Sequence, residues 1–218
     1  MESLQTNLQA FFSTYKLRTY RKRDLILHED DTPNGVYYIK SGYVRLYSVS
    51  EDGRELTRLL LGPNDLFPIR WVFSDEPIDY YVEPITDVEA WHAPKEAFLN
   101  FLEQQPELLM NVIHMIVSRM GRLYKRMEYF AFGDAYQKVA TMLVIQAHNF
   151  GKEINGKIVI DIPLTHQDIA SLIGVARETA SVEIERLKRE KIIDYSEHKI
   201  IINSIQKLEE ESKLTSND

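Results

Sequence analysis

From Ile113 to Phe130, apolar side chains recur at 113, 116, 120, 123, 127 and 130, in alternating steps of three and four. That rhythm describes one long helix with a narrow a/d seam, sustained for about two and a half heptads. Arg119, Arg122, Lys125 and Arg126 flank it. One reading lays this helix on the core of its own chain. A helix buried that way usually presents a wider apolar face than a strict a/d seam. The spacing therefore favours pairing with a second copy, through Ile113, Ile116, Met120, Leu123, Met127 and Phe130. The helix also divides the chain, and three segments are expected: residues 1–107, 108–132 and 133–218.

The first segment changes texture after a short amphipathic helix carrying Leu4, Leu8, Phe11 and Phe12. From about residue 20 to 95, runs rich in Val, Ile, Tyr and Leu alternate with turn signals. Val36–Lys40, Tyr43–Val49 and Glu55–Leu61 read as strands, separated by Ser41-Gly42 and Glu51-Asp52-Gly53. Asp-Gly between two β-rich runs is a strong hairpin signal, because glycine supplies a positive φ without steric cost. Strands spaced this evenly read as a small barrel or sandwich. Pro94 and Pro106 then bracket a short helix.

Beyond the seam, Asp134 and Gln137 have capping-box spacing ahead of a helix bearing Val139, Ala140, Leu143, Val144 and Ala147. Asn155-Gly156 marks a further hairpin leading into a strand over 157–162. In 163–190, Thr165 is placed to cap a helix at Asp168, and Leu164 and Ile169 occupy the two staple positions. Gly174 permits a sharp turn into a second helix that starts near Arg177. Ala180, Ile184 and Leu187 share its inner face, and Glu178, Ser181 and Val182 point the opposite way. Two short helices joined this way form a helix-turn-helix, whose second helix enters the major groove by its amino-terminal residues. Ile192–Tyr195 and Ile200–Asn203 form a wing. The tail from Lys213 is polar and expected to be disordered.

The run Leu164-Thr165-x-Gln167-Asp168-Ile169-Ala170, then Gly174-Val175-x-Arg177-Glu178-Thr179, resembles the helix-turn-helix of the CRP/FNR family of bacterial transcription regulators. The resemblance spans the chain, because Val36-Tyr37-Tyr38-Ile39-Lys40-Ser41-Gly42-Tyr43-Val44-Arg45-Leu46 resembles the family's β-roll hairpin. It implies an α+β fold: an N-terminal jelly-roll-like β-roll, a long dimerisation helix and a C-terminal winged helix-turn-helix. It also implies a homodimer on an inverted-repeat operator in double-stranded DNA, with RNA polymerase as a partner. Arg177 and Glu178 would read bases: Arg suits guanine O6/N7 and Glu suits cytosine N4. Thr165, His166, Gln167 and Thr179 would meet phosphates, which set register rather than sequence. Ser181, Val182, Lys188 and the wing's Lys199 complete the expected interface. Two positions depart from the family pattern. Ala176 stands where a Ser or Thr cap is usual, and Val182 where many members have a second base-reading Arg.

The effector region departs further. Members that bind cyclic nucleotides carry Gly-Glu followed by Arg-Ser/Thr-Ala, whereas this chain has Asp65-Leu66-Phe67-Pro68-Ile69-Arg70-Trp71 and Ile78-Asp79-Tyr80-Tyr81. Asp79 would repel a phosphate, so cyclic AMP is not the expected effector. Arg70, Trp71, Tyr80 and Tyr81 are candidates for a pocket taking a different small molecule, or the aromatics belong to the β-roll core.

Composition narrows the function classes. The 218 residues carry no cysteine and a net charge of −7. Disulfides, thiol catalysis and cysteine-ligated iron–sulfur clusters are excluded. The histidines (28, 92, 114, 148, 166 and 198) are scattered, and no cofactor or metal site is expected. No nucleophile–base pair or phosphate loop points to an enzyme. Neither a signal peptide nor a membrane span is evident, so a cytoplasmic location is expected. Over 163–203, six basic residues (177, 186, 188, 189, 191, 199) face seven acidic ones (168, 178, 183, 185, 190, 194, 197). That is a thin electrostatic footprint for DNA. It leaves open a sensory module whose winged helix serves protein contacts.

Overall fold

Both faces of one strand are apolar near the start of the chain, and both are covered. In the computed structural model, which describes residues 2–196 and 198–212, Val36, Tyr37, Tyr38 and Ile39 are all buried. They lie on β2 (Val36–Ser41). The chain forms two compact units, one of Arg58–Arg122 with the residues up to Val49, the other of Ser50–Thr57 with the residues from Leu123 onward.

The first unit opens with α1 (Glu2–Phe12) and β1 (Lys16–Tyr20). After β2 come β3 (Val44–Val49), β4 (Glu55–Leu61), β5 (Leu66–Phe67) and α2 (Ile69–Ser74). Next are β6 (Tyr81–Pro84), β7 (Val88–Ala93), α3 (Lys95–Glu103) and the long α4 (Pro106–Phe132). One sheet has the order β1-β7-β2-β5, the other β4-β3-β6. β7 pairs antiparallel with both β1 and β2, placing Trp91 opposite Leu17 and Tyr38. Leu46 of β3 faces Val82 of β6. Phe12 of α1 stacks on Tyr38 with ring centroids 5.2 Å apart. Aromatic burial of this kind supplies much of the core energy.

α4 closes this core with one side only. Leu108 and Val112 are buried in it, and Met115 and Ile116 pack against it. Arg119 forms an ion pair with Asp65, which also accepts a hydrogen bond from the Gly62 amide at 2.9 Å. Burial raises the Asp65 carboxyl above its usual range, and the Arg119 guanidinium opposes that rise. The β4–β5 turn is thereby fastened to α4.

The second unit contains α5 (Ala135–Phe150), β8 (Gly151–Ile154), β9 (Lys157–Ile160), α6 (His166–Ile173) and α7 (Arg177–Arg189). β10 (Ile193–Ser196), β11 (Lys199–Ile202) and α8 (Ile205–Glu211) follow. Its sheet runs β10-β11-β9-β8. The expected capping box is present: the Gln137 amide donates to Asp134 at 2.8 Å, and Asp134 N–H donates to the Gln137 side chain at 3.1 Å. Val139, Ala140, Leu143, Val144 and Ala147 are buried. The Thr57 amide donates to Ser171 Oγ at 3.0 Å, and Arg126 donates to the carbonyls of Thr57 and Leu172 at 2.5 Å each. α8 carries a sequence signal apart from apolar spacing: Ser204 caps it at Lys207. The tail from Lys213 lies outside the described residues. No helix among the described residues is long and apolar enough to cross a membrane.

Two turn glycines make a matched test. Gly42 and Gly53 have φ of 85° and 80°. A Cβ at Gly42 would lie 2.1 Å from the Asp87 carbonyl oxygen, whereas at Gly53 nothing is within 4 Å. Gly53→Ala is expected to destabilise by about 1–2 kcal/mol, the left-handed backbone penalty alone. Gly42→Ala adds a backbone clash and is expected to lose more than about 3 kcal/mol or fail to fold. Denaturant melts of the two variants check this, and equal losses would contradict it.

Candidate nucleic-acid interface

Thr165 begins the site by ending the loop before α6. Its Oγ1 accepts from the Asp168 amide at 3.2 Å, and Asp168 accepts from the Thr165 amide at 2.8 Å. This reciprocal cap satisfies two donors that a helix start leaves free. Leu164 and Ile169 are buried on either side of it. At the far end Gly174 adopts φ 67°, and its amide donates back to the Ala170 carbonyl. A side chain there would be strained and would meet Phe130 at 2.9 Å, so only glycine suits this turn.

The turn delivers α7 with Ala180, Ile184 and Leu187 buried. Ala170 and Ala180 are both fully buried, and small side chains there allow close approach of the helices. The opposite face carries Arg177, Glu178 and Val182, all exposed. Arg177 and Glu178 make no side-chain hydrogen bond or ion pair among the described residues. Val182 is 65% exposed and presents only methyl groups. Ala176 is the N-cap and offers no side-chain oxygen to the first turn. Glu178, in that first turn, favours the positive end of the helix dipole.

Other expected contact residues have different surroundings. Gln167 and Lys199 are exposed, and Thr179 is half-buried. Lys188 is bonded to Glu185 at 2.8 Å. Ser181, expected on the outer face with Glu178 and Val182, turns back instead. Its hydroxyl lies 2.9 Å from His166 Nδ1 and 2.9 Å from the Arg177 carbonyl. His166 packs at a tilt against Tyr195 of β10, with ring centroids 4.8 Å apart. At the end of α7, Arg186 lies over the Tyr136 ring at 3.9 Å and donates to Glu190. Those contacts anchor the helix rather than present charge.

The seam expected on α4 also shifts. Ile113, Met120, Leu123 and Met127 are exposed, but Ile116 packs inward and Phe130 lies half-buried beside Gly174. The open stripe runs Met110, Ile113, Val117, Met120, Tyr124, Met127, each 40–66% exposed. Its steps are again three and four, displaced by one residue at 117 and 124. Spacing alone missed these two because a second apolar stripe shares the helix.

The four effector-pocket candidates are each engaged within the chain, and Tyr80 lies near the charges of Arg70 and Asp79. Trp71 and Tyr80 are buried, Trp71 beneath the Lys95 ammonium at 4.7 Å. Tyr81 donates to Glu29 at 2.7 Å and stacks on Tyr47. Arg70 donates to Glu76 at 3.0 Å, to the Pro77 carbonyl and to Asp79. Arg58 donates to Asp79 at 2.8 Å. Partial burial pushes the Asp79 carboxyl up, but the Arg58 bond and the charges of Arg58 and Arg70 outweigh that and hold it below its usual value. Two guanidiniums that could hold an anion already share one from their own chain.

Residues 17–105 match the cyclic nucleotide-binding domain family, and residues 137–211 match the Crp-like helix-turn-helix domain family. The global nitrogen regulator of Nostoc sp. strain PCC 7120 is 30% identical over 189 residues, covering 86% of this chain and 85% of that protein. The CRP-like cAMP-activated global transcriptional regulator of Mycobacterium tuberculosis H37Rv is 28% identical over 156 residues, covering 72% and 70%. A solved CRP/FNR-family regulator from Thermus thermophilus aligns with TM-score 0.72 and 26% identity, covering 91% of this chain and 99% of that one. FixK2 from Bradyrhizobium japonicum shares the fold, at TM-score 0.80 and 20% identity over 93% and 99%.

Proposed function

The chain belongs to the CRP/FNR family of transcription regulators, with a cyclic nucleotide-binding-type domain ahead of a DNA-binding helix-turn-helix, and from that premise we propose that it acts as a homodimer reading an inverted-repeat operator. Its relatives are regulators, not enzymes. The observation that carries the proposal is the pairing of two exposed features. One is the apolar stripe on α4, the other the exposed Arg177 and Glu178 at the head of α7, without side-chain partners among the described residues.

The stripe suits a parallel pair of α4 helices, since an a/d seam is what knobs-into-holes packing requires. The two α7 helices would then stand about 34 Å apart, one turn of DNA. Arg177 takes a guanine and Glu178 a cytosine amino group. Thr165, Gln167, Thr179 and Lys199 supply backbone contacts. Val182 offers a thymine methyl its only favourable partner. RNA polymerase is the partner that the family implies, and the cytoplasm is the location. The effector is a small molecule other than cyclic AMP, or none. Ile69 and Arg70 follow Pro68 where a Gly-Glu pair would be needed, and Asp79 already occupies the nearby arginines.

Three outcomes test this reading. Val117→Asp combined with Met120→Asp is expected to give folded monomers in sedimentation, whereas Ile116→Asp lowers the melting temperature of the first unit instead. A stable dimer after the double change would remove α4 as the interface. Glu178→Ala is expected to relax preference at one base pair per half-site by about 1–3 kcal/mol, with the salt slope unchanged because no phosphate contact is lost. Uniform weakening across single-base variants would assign Glu178 to a structural role. Cyclic AMP at millimolar concentration is expected to leave operator affinity unchanged, and calorimetry showing micromolar binding would refute that.

A further inference from the structure

Ser181 has one proton to give. Its Oγ lies 2.9 Å from the Arg177 carbonyl, which can only accept, so the hydroxyl donates there. The contact to His166 Nδ1, also 2.9 Å, must then run the other way, with Nδ1–H donating to Ser181 Oγ. That fixes the neutral imidazole as the Nδ1–H tautomer and leaves Nε2 with a lone pair. Nε2 is sealed from solvent and has no hydrogen-bond partner among the described residues. The ring packs at a tilt of 50° against Tyr195, whose hydroxyl donates to the Leu164 carbonyl at 2.7 Å. One imidazole thus joins the start of α6, the middle of α7 and the first strand of the wing.

We propose that His166 is a positioning residue for DNA recognition, holding Ser181 through Nδ1–H and the wing through Tyr195 so that α7 and the wing keep a fixed relative geometry, rather than a phosphate contact. The proposal rests on the DNA-reading role of α7 proposed above. A phosphate-binding histidine needs an accessible N–H, and the one N–H here is spent inside the protein. Sealing of Nε2 makes the arrangement specific to the neutral ring. A proton added at Nε2 would be a buried donor with no acceptor.

The sign of the pH response separates the two roles. Burial lowers the His166 pKa. Among the charged groups around it, Arg177 and Lys188 of α7 and His198 of the wing turn act in the same direction, while Glu185 of α7 opposes them. Asp168 of α6 is nearby but is engaged by Thr165. A histidine held neutral in the folded protein contributes fully above its unfolded value near 6.5, and the contribution is lost as pH falls from there towards the lowered folded value. That window describes folding stability; operator affinity of the folded chain is expected to stay flat while the ring is neutral and to fall as pH drops through the lowered pKa. A phosphate contact would raise the pKa and make affinity rise instead.

The experiment measures operator binding by the full chain between pH 5.5 and 8 at constant salt, for wild type, His166→Asn and His166→Gln, with circular dichroism confirming that each folds. Asn places an amide N–H near the Nδ1 position, and Gln places its amide near Nε2. His166→Asn keeps the bond to Ser181 but not the ring against Tyr195, and is expected to bind more weakly than wild type, more tightly than His166→Gln, and with most of the acid decline lost. His166→Gln is expected to lose about tenfold, the effect of one buried hydrogen bond. Affinity that rises on acidification in wild type and not in His166→Asn, or rescue by Gln rather than Asn, would overturn the proposal. Nitrogen-15 spectra of the imidazole, recorded without DNA, are expected to show Nδ1–H and a midpoint below 6.5. The Nε2–H form would overturn the proposal even if the chain bound no DNA, so the two failures are distinguishable.

Discussion

Helix α4 carries apolar side chains on two sides, and its own chain covers only one. Leu108, Val112, Met115 and Ile116 meet the β-roll core. Met110, Ile113, Val117, Met120, Tyr124 and Met127 face outward along more than four helical turns. At about 25 cal/mol per Å² of apolar surface, a stripe of that length left in water forgoes several kcal/mol. A monomer gains nothing from such a stripe, and exposed apolar patches of this extent mark association surfaces. The proposed homodimer follows from this constraint. So does an inverted-repeat operator, because a two-fold axis through paired α4 helices relates two identical recognition helices.

The recognition unit depends on how completely its other faces are engaged. Ala180, Ile184 and Leu187 commit one side of α7 to burial, and Arg186, bonded to Glu190 over Tyr136, fixes its end. Gly174 sets the angle of entry by adopting a left-handed backbone that other residues resist. What the head of α7 leaves exposed for a ligand is a short strip: Arg177, Glu178 and Val182. Lys188 is paired and the net charge of the region is not basic, so attraction to phosphates is modest. Specificity then has to come from a few directional contacts held in a stiff frame, where small displacements matter most.

Much of this was legible in the sequence because the signals were local. The strands from Val36 to Leu61 appear where Asp-Gly and Ser-Gly turns separate β-rich runs, and both capping boxes form at the spacing that defines them. The helix-turn-helix was readable for the same reason. Ile116 and Phe130 lie off the open stripe for a physical reason. Two apolar stripes on one helix both advance by three and four, so period alone cannot say which stripe meets the chain's own core. Ser181 was unreadable for a different reason. Helical projection places it beside Glu178 and Val182, but a histidine fifteen residues earlier bends its hydroxyl inward, and that contact exists only in the tertiary fold. Trp71 and Tyr80 carried two readings in the sequence, effector pocket or β-roll core, and both are buried in the core cluster. α2, starting after Pro68, and α8, starting after Ser204, are short enough that their periodicity is faint.

The most direct test of a dimeric DNA reader is selection of duplexes from a random pool by the full chain, followed by sequencing. The expected product is an inverted repeat with half-site centres about one helical turn apart, each half holding a G·C pair that Arg177 and Glu178 can read. Enrichment of a single unsymmetrical half-site, or no enrichment at all, would contradict the account.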